Sequence, residues 1–255
     1  MKLFTAGNNR LNTAYGFDFL YAPRLTAAAV RAALQNWPAE ASWPSWAFEN
    51  HDAPRAVSRW AAPEQADAFA PMKMLLLAAL RGNIFLYYGE ELGLDQVEIP
   101  FEALRDPEAI ANWPRTLSRD GARTPMPWSA SAPQLGFTSG KPWLPLGPNH
   151  ARLAVDLQDK HPGSLLAWTR KVIALRNASP ALRTGDIAFF DAPGELLAFQ
   201  RAGEGERLLC LFNLGDTPQS WTPPGAEHWR SLIATAGVDG WHFAPHAGLV
   251  ARYEV

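Results

Sequence analysis

Phe48-Glu49-Asn50-His51-Asp52-Ala53-Pro54-Arg55 closes an apolar, aromatic run over residues 43–48 and breaks it abruptly into Asn, His, Asp and a Pro-Arg step. A short apolar run bounded by turn residues reads as a buried strand. Adjacent His and Asp at its end put polar groups where α/β barrels carry their chemistry, at the carboxyl ends of the strands. The same residues also fit a plain polar turn in which Asp52 caps whatever follows. The motif by itself leaves both readings open.

Two further stretches stand downstream. Asn83-Ile84-Phe85-Leu86-Tyr87-Tyr88-Gly89-Glu90-Glu91-Leu92-Gly93 is a second strand-like run, and it ends in Gly and paired acids. Ser118-Arg119-Asp120-Gly121-Ala122-Arg123-Thr124-Pro125-Met126-Pro127-Trp128 follows. Around them, residues 15–20, 43–48 and 84–88 read as strands. Residues 26–37, with Thr26 as N-cap, and 64–81 read as helices. This alternation predicts parallel βαβ units. From residue 95 to about 161 the periodicity dissolves into Pro, Trp and Gly, with a weak helix at 107–112, and a loop of that length is usually functional. Residues 163–177 return to helix. Beyond 185, short runs at 187–190, 196–201, 207–212, 219–222, 229–233 and 249–253 predict an antiparallel β unit, a sandwich or half-barrel.

The composition narrows the class. With 47% hydrophobic and 19% charged residues the chain is globular, and a net charge of -2 gives no electrostatic reason to expect nucleic acid or an anionic membrane. A single cysteine, Cys210, excludes an internal disulfide framework and a cysteine-based metal cluster; its apolar run predicts a small buried thiol. The His residues are scattered without ligand spacing, so no metal is expected, and His161, His228, His242 and His246 receive no site. No run is apolar enough for a secretory signal or a membrane span, which makes the cytoplasm the expected location. Eleven Trp are the oddity. Of Trp113, Trp128 and Trp143, in the Pro-rich loop, at least one is expected to line a groove, as a flat apolar ring with one donor suits a sugar face.

In this order the three motifs resemble the C-terminal half of the α-glucosidase and oligo-1,6-glucosidase branch of the α-amylase superfamily, glycoside hydrolase family 13. Members read close to F-x-N-H-D-x-P-R, Y-Y-G-E-E-L-G and R-D-G-x-R-T-P-M-x-W. The resemblance implies an α/β fold. Residues 1–184 would be the C-terminal part of a (β/α)₈ TIM barrel (strands six to eight), and residues 185–255 an antiparallel β-sandwich domain. Such a barrel takes typically about 250 residues and eight strands. Three strands cannot close, so the chain is expected to be a fragment or truncated product with two open sheet edges.

Site residues carry over one by one. The resemblance assigns Asp52 the role of the carboxylate that stabilises an oxocarbenium-like transition state while binding sugar hydroxyls. His51 would donate to the same glucose, and Arg123 would clamp it. The acidic partner of Arg123 is expected in the missing half; without it Arg123 would be a solvated cation. The nucleophilic Asp and the acid/base Glu would also lie upstream, so the chain alone is expected to be inactive. Arg55 would brace the loop, Met126 and Trp128 would be packing residues that fix the loop carrying Arg123, and Glu90 and Glu91 would be structural support.

The function implied is a segment of a retaining α-glucosidase acting on α-linked gluco-oligosaccharides or disaccharides, without a cofactor. Partners would be that substrate and either a second copy or a complementary N-terminal half. Two alternatives stand beside it: a sucrose isomerase, sucrose phosphorylase or transglycosylase relative, and a non-catalytic sugar-binding or interaction protein.

Overall fold

The computed structural model describes residues 2–5, 7, 9–37 and 43–254. Strands β1 (Ala14–Gly16), β2 (Pro44–Ala47) and β3 (Asn83–Phe85) are separated by helices; α1 (Lys2–Thr5), α2 (Ala27–Gln35), α3 (Ala56–Trp60) and α4 (Ala66–Ala79) fill that region. Helices α5 (Pro107–Asn112) and α6 (Val155–Asp159) punctuate a long strandless segment, followed by α7 (Leu165–Ala178) and α8 (Pro180–Arg183). The remainder is β4 (Asp186–Phe189), β5 (Leu196–Gly203), β6 (Glu206–Asn213), β7 (Gln219–Ser220), β8 (Trp229–Ala234), β9 (Val238–Asp239), β10 (His242–Phe243) and β11 (Gly248–Tyr253). The chain divides into two compact units, one of residues 1–47, 67–85 and 171–255, the other of 48–66 and 86–170.

In the first unit, β1, β2 and β3 form a parallel sheet in that order, with Gly16 opposite Trp46 and Trp46 opposite Ile84. Among the described residues no further strand pairs with β1 or β3, so both edges are open, as the strand count predicts. Strand β1 is shorter than expected: it ends at Gly16, and the chain turns through Phe17 to Tyr21, burying Phe19 and Leu20 while Phe17 and Tyr21 stay exposed. Trp46 is fully buried, donates to Arg81 O at 2.8 Å and crowds Gly82, whose φ of 131° and close approach to Pro44 O leave no room for a Cβ. Helix α2 begins as predicted, with the Thr26 hydroxyl accepting from Ala29 N at 3.1 Å. Glu195 Oε2 takes the Ala27 N–H at 2.8 Å, placing an acid at the positive helix end.

Beyond its exposed first turn, helix α4 is buried nearly all round and is apolar there except for the enclosed Lys73. Its orphan C-terminal carbonyls meet two buried cations. Arg176 of α7 donates to the carbonyls of Ala78, Leu80 and Gly82, and Arg201 of β5 donates to Ala79 O. Positive charge at a helix C-terminus is favourable, and burial, which pulls both guanidinium pKa values down, is offset by the carbonyls around them.

The same unit carries two antiparallel sheets, a five-stranded one in the order β4-β5-β6-β11-β8 and a three-stranded one in the order β7-β10-β9. Alternate residues Leu196, Ala198, Leu209, Leu211, Leu249 and Ala251 point to one face and bury against Phe243 of β10, so the two sheets share a core. On the other face Phe199 stacks with Phe212 at 5.9 Å. Cys210 is fully buried, and burial pushes its thiol up to about 12, so it is an inert core residue.

The second unit contains no strand among its described residues. Small clusters hold it instead: Val97, Ile99, Leu104, Ala109 and Leu144 in one, and Leu92, Leu94 and Met126 in another. Gln158 joins three segments, donating to Leu92 O and Leu153 O and accepting from Leu166 N. Proline-rich chain cannot build a ladder, so side chains replace backbone pairing.

Candidate active site

Every residue of the FENHDAPR stretch lies in the second unit, where the chain continues from β2. Asn50 Oδ1 accepts from Asp52 N at 2.9 Å and from Ala53 N at 2.8 Å, an Asx turn that reverses the chain. Glu49 is buried and pairs with Arg55 at 3.1 Å, both side chains being fully enclosed, and its other oxygen accepts from Ala56 N at the start of α3. Arg55 also donates to Tyr88 O at 2.6 Å and lies over the Tyr87 and Tyr88 rings at 4.7 and 4.9 Å. Arg55 therefore braces this loop against the second motif, as expected, and has no surface to offer a ligand.

The turn leaves Asp52 free of any capping duty: the residue before α3 is Arg55, and Glu49 satisfies the first amide. The capping alternative is thereby set aside. Asp52 Oδ1 accepts from Arg123 Nη2 at 3.0 Å and from Arg119 Nη1 at 3.2 Å, while Oδ2 stands 3.3 Å from His51 Nε2. Its side chain is 34% exposed and that of His51 66%. Arg123 is not the solvated cation expected of it without an upstream acid. It holds Asp52 and also donates Nε to His51 O at 2.7 Å. Arg123, 71 positions from Asp52, thus converges with the adjacent His51 and Asp52.

Arg119 was not singled out by the sequence as a site residue, yet it completes the cluster. Its Nε and Nη2 form a two-pronged pair with Asp106 at 2.9 and 2.6 Å, leaving Nη1 for Asp52. The Arg119 guanidinium holds the Asp106 carboxyl well below the usual carboxylate range, and Asp106 followed by Asp52 raises Arg119 in return. Asp106 is also the N-cap of α5, accepting from Glu108 N at 3.2 Å. Two carboxylates and two guanidiniums alternate here, so Asp52 is held by charge while a third of its side chain remains open to a ligand hydroxyl.

A cavity of about 530 Å³ adjoins Arg123, lined by Tyr87, Tyr88, Glu91, Trp128, Phe137 and Trp143 among others. Trp128 and Trp143 line it, as expected of at least one loop tryptophan, whereas Trp113 packs against Phe101 at 5.8 Å. Met126 is a packing residue against Leu92 and Leu94, as expected, and also reaches the cavity, whereas Trp128 is 52% exposed and forms part of the cavity wall rather than a support. The paired acids divide. Glu90 is buried, accepting from Tyr87 N at 3.2 Å, and is structural. Glu91 faces the cavity, and burial raises its pKa. Gly89 at φ 81° allows Leu94 to close beneath the pair, where a Cβ would overlap it. Among the described residues, no group of three or more His, Cys, Asp or Glu converges to hold a metal ion, and no helix is long and apolar enough to cross a membrane.

The family described as "Alpha amylase, catalytic domain" matches residues 8–185, and a domain of unknown function, DUF3459, matches residues 182–250. A "Probable alpha-glucosidase" of Rhizobium meliloti (strain 1021) is 43% identical over 216 residues, covering 84% of this chain and 39% of its own length. The crystal structure of an alpha-glucosyl transfer enzyme, XgtA, superposes with a TM-score of 0.90 at 41% identity, over 99% of this chain and 48% of that one. The trehalulose synthase MutB of Pseudomonas mesoacidophila MX-45 gives a TM-score of 0.83 at 26% identity, over 96% of this chain and 51% of that one. The chain thus spans about half or less of the length of the relatives it matches. With the catalytic-domain match extending over most of its residues, the chain belongs to the α-amylase family of glycoside hydrolases.

Proposed function

We propose that this chain supplies the sugar-orienting, transition-state-stabilising part of a retaining α-glucosidase acting on α-linked gluco-oligosaccharides or disaccharides. The observation that carries the reading is Asp52, held by Arg119, Arg123 and His51 yet still open to solvent. In a retaining enzyme one carboxylate attacks the anomeric carbon while a second carboxyl, about 5–5.5 Å away, protonates the leaving oxygen and later activates water. On this reading both belong to polypeptide outside these residues, as the family resemblance implies. Asp52 accepts hydrogen bonds from ring hydroxyls and offsets the positive charge that grows on the ring. His51 donates to the same sugar and Arg123 fixes it from the side. On this reading residues 1–184 are strands six to eight of the barrel with their helices and loops, and 185–255 are the β domain that follows. The open sheet edges are then covered by a complementary half or a second copy.

The likeness to an alpha-glucosyl transfer enzyme and a trehalulose synthase supports a second reading, in which a sugar hydroxyl rather than water takes the glucosyl group. The Asp52 cluster would serve both, and product analysis separates them. The test is reconstitution. The isolated chain is expected to give no turnover of an aryl α-glucoside. Joined to the preceding half of the Rhizobium meliloti relative, it is expected to give turnover that Asp52→Asn removes. Turnover by the isolated chain that survives Asp52→Ala overturns the assignment.

A further inference from the structure

Arg119 divides its guanidinium between two carboxylates, Nε and Nη2 going to Asp106 at 2.9 and 2.6 Å and Nη1 to Asp52 at 3.2 Å. A guanidinium is rigid and planar, so pinning two of its nitrogens fixes the direction of the third. We propose that Asp106 is a positioning residue for the sugar site, its buried carboxylate setting the plane of Arg119 so that one N–H stays aimed at Asp52.

Asp106 itself has nothing left for a ligand. Its Oδ1 takes Arg119 Nη2 and Glu108 N, and its Oδ2 takes Arg119 Nε and the Arg119 backbone N–H at 3.1 Å. It is buried, and it is held in turn by a second enclosed acid. Asp120 Oδ2 accepts the backbone N–H groups of Arg105 and Asp106 at 2.6 and 2.8 Å. The chain of restraint therefore runs from Asp120 through the 105–106 backbone to Asp106, then through Arg119 to Asp52. At its far end the Arg119 side chain is 39% exposed. Without Asp106 it is free to rotate toward solvent or to close face-on over Asp52, and either motion spoils the oxygen a sugar hydroxyl must reach. Arg123 approaches the same Oδ1 from four residues further along and does not replace this restraint, because its Nε is committed to His51 O.

The competing account is that Asp106 merely caps the six-residue α5. Asparagine separates the two, since it caps a helix as well as aspartate does but carries no charge. The inference rests on the reading of Asp52 as the sugar-binding carboxylate, so its test has one arm independent of turnover. In the 255-residue chain labelled at Arg nitrogen and Asp carboxyl carbon, magnetic resonance follows Arg119 Nε–H exchange and the Asp52 carboxyl signal. Asp106→Asn is expected to speed that exchange about tenfold or more, as for a lost charge-assisted pair, and to move the Asp52 signal, with Glu108 amide protection kept. Asp106→Glu recovers part of both. An unchanged Arg119 signal, or a stationary Asp52 signal when Arg119 changes, overturns the proposal.

In the reconstituted enzyme, Asp106→Asn is expected to lower kcat about tenfold with KM within about twofold, the mark of a contact made mainly in the transition state. An unchanged kcat also overturns the proposal. If the unsubstituted reconstituted enzyme does not turn over, the functional reading fails, and the resonance result alone decides the role of Asp106.

Discussion

On the proposed reading Asp52 is both held and used, and its surroundings suit that division: two guanidiniums fix one oxygen while a third of the side chain stays open. In the reconstituted enzyme Asp52→Asn keeps the shape but removes the charge that strengthens as the ring becomes cationic. We expect kcat to fall by about 10²-fold or more, the scale of one lost preorganised transition-state contact. A raised KM with kcat unchanged would show that Asp52 binds only the ground state. That His51, Asp52 and Arg123 belong together could be proposed from the sequence, because they sit in contiguous motifs whose order carries a family, and the structure brings the three side chains together. Asp106 and Arg119 were not legible as site residues. Asp106 lies in a loop without periodicity, 13 positions from Arg119, and Arg119 lies 67 positions from Asp52, so only the folded loop shows that they meet. Trp128 differs from its sequence reading for a related reason: beside Met126 it looks like packing, yet its ring is half exposed and lines the cavity.

At the level of elements, periodicity found the long pieces and missed the short ones. Helix α2 with its Thr26 cap, the core of α4, the α5 turn and the six main β runs follow from spacing and cap chemistry. The five-residue α3 and the two-residue β9 and β10 are too short to hold a period, and their existence depends on partners elsewhere. Arg201 exposes the same limit. An arginine beside Gln200 near the end of β5 reads as a side chain facing water, but it is fully buried and donates to Ala79, Leu182, Asp186 and Gly185 carbonyls. Arg201→Met fills much of the same volume and strands those carbonyls, among them one at the α4 C-terminus. Unsatisfied buried acceptors cost about 1–3 kcal/mol each, and removing a desolvated guanidinium returns part of that sum. We therefore expect a loss of about 3 kcal/mol in urea unfolding of the chain; a loss below about 1 kcal/mol would mean that water replaces the guanidinium without penalty.

Over the whole molecule, the contrast lies between a parallel sheet open at both edges and a five-stranded antiparallel sheet whose central strands are paired on both sides. Open parallel edges expose ladder groups and apolar inner-face side chains together, and here Phe85 of β3 is 50% exposed while Phe17, just past β1, is 57% exposed. The antiparallel sheet also ends in two edge strands, β4 and β8, but its apolar faces are covered: Phe243 and its neighbours close one, and the aromatic layer of Phe199 and Phe212 lies on the other. Arg201 links this sheet to the end of α4, so order in the β strands should extend to that helix. The isolated chain is therefore expected to associate as a dimer or larger species in sedimentation. Amide exchange should be slow in β5, β6, β11 and the last turn of α4, and faster in β1 and β3, unless a complementary half is supplied. Addition of that half should slow exchange in β1 and β3 and return the chain to a single defined species. A compact monomer with strong protection throughout Ala14–Gly16 and Asn83–Phe85 would show that three parallel strands suffice, and the requirement for a covering partner would fall.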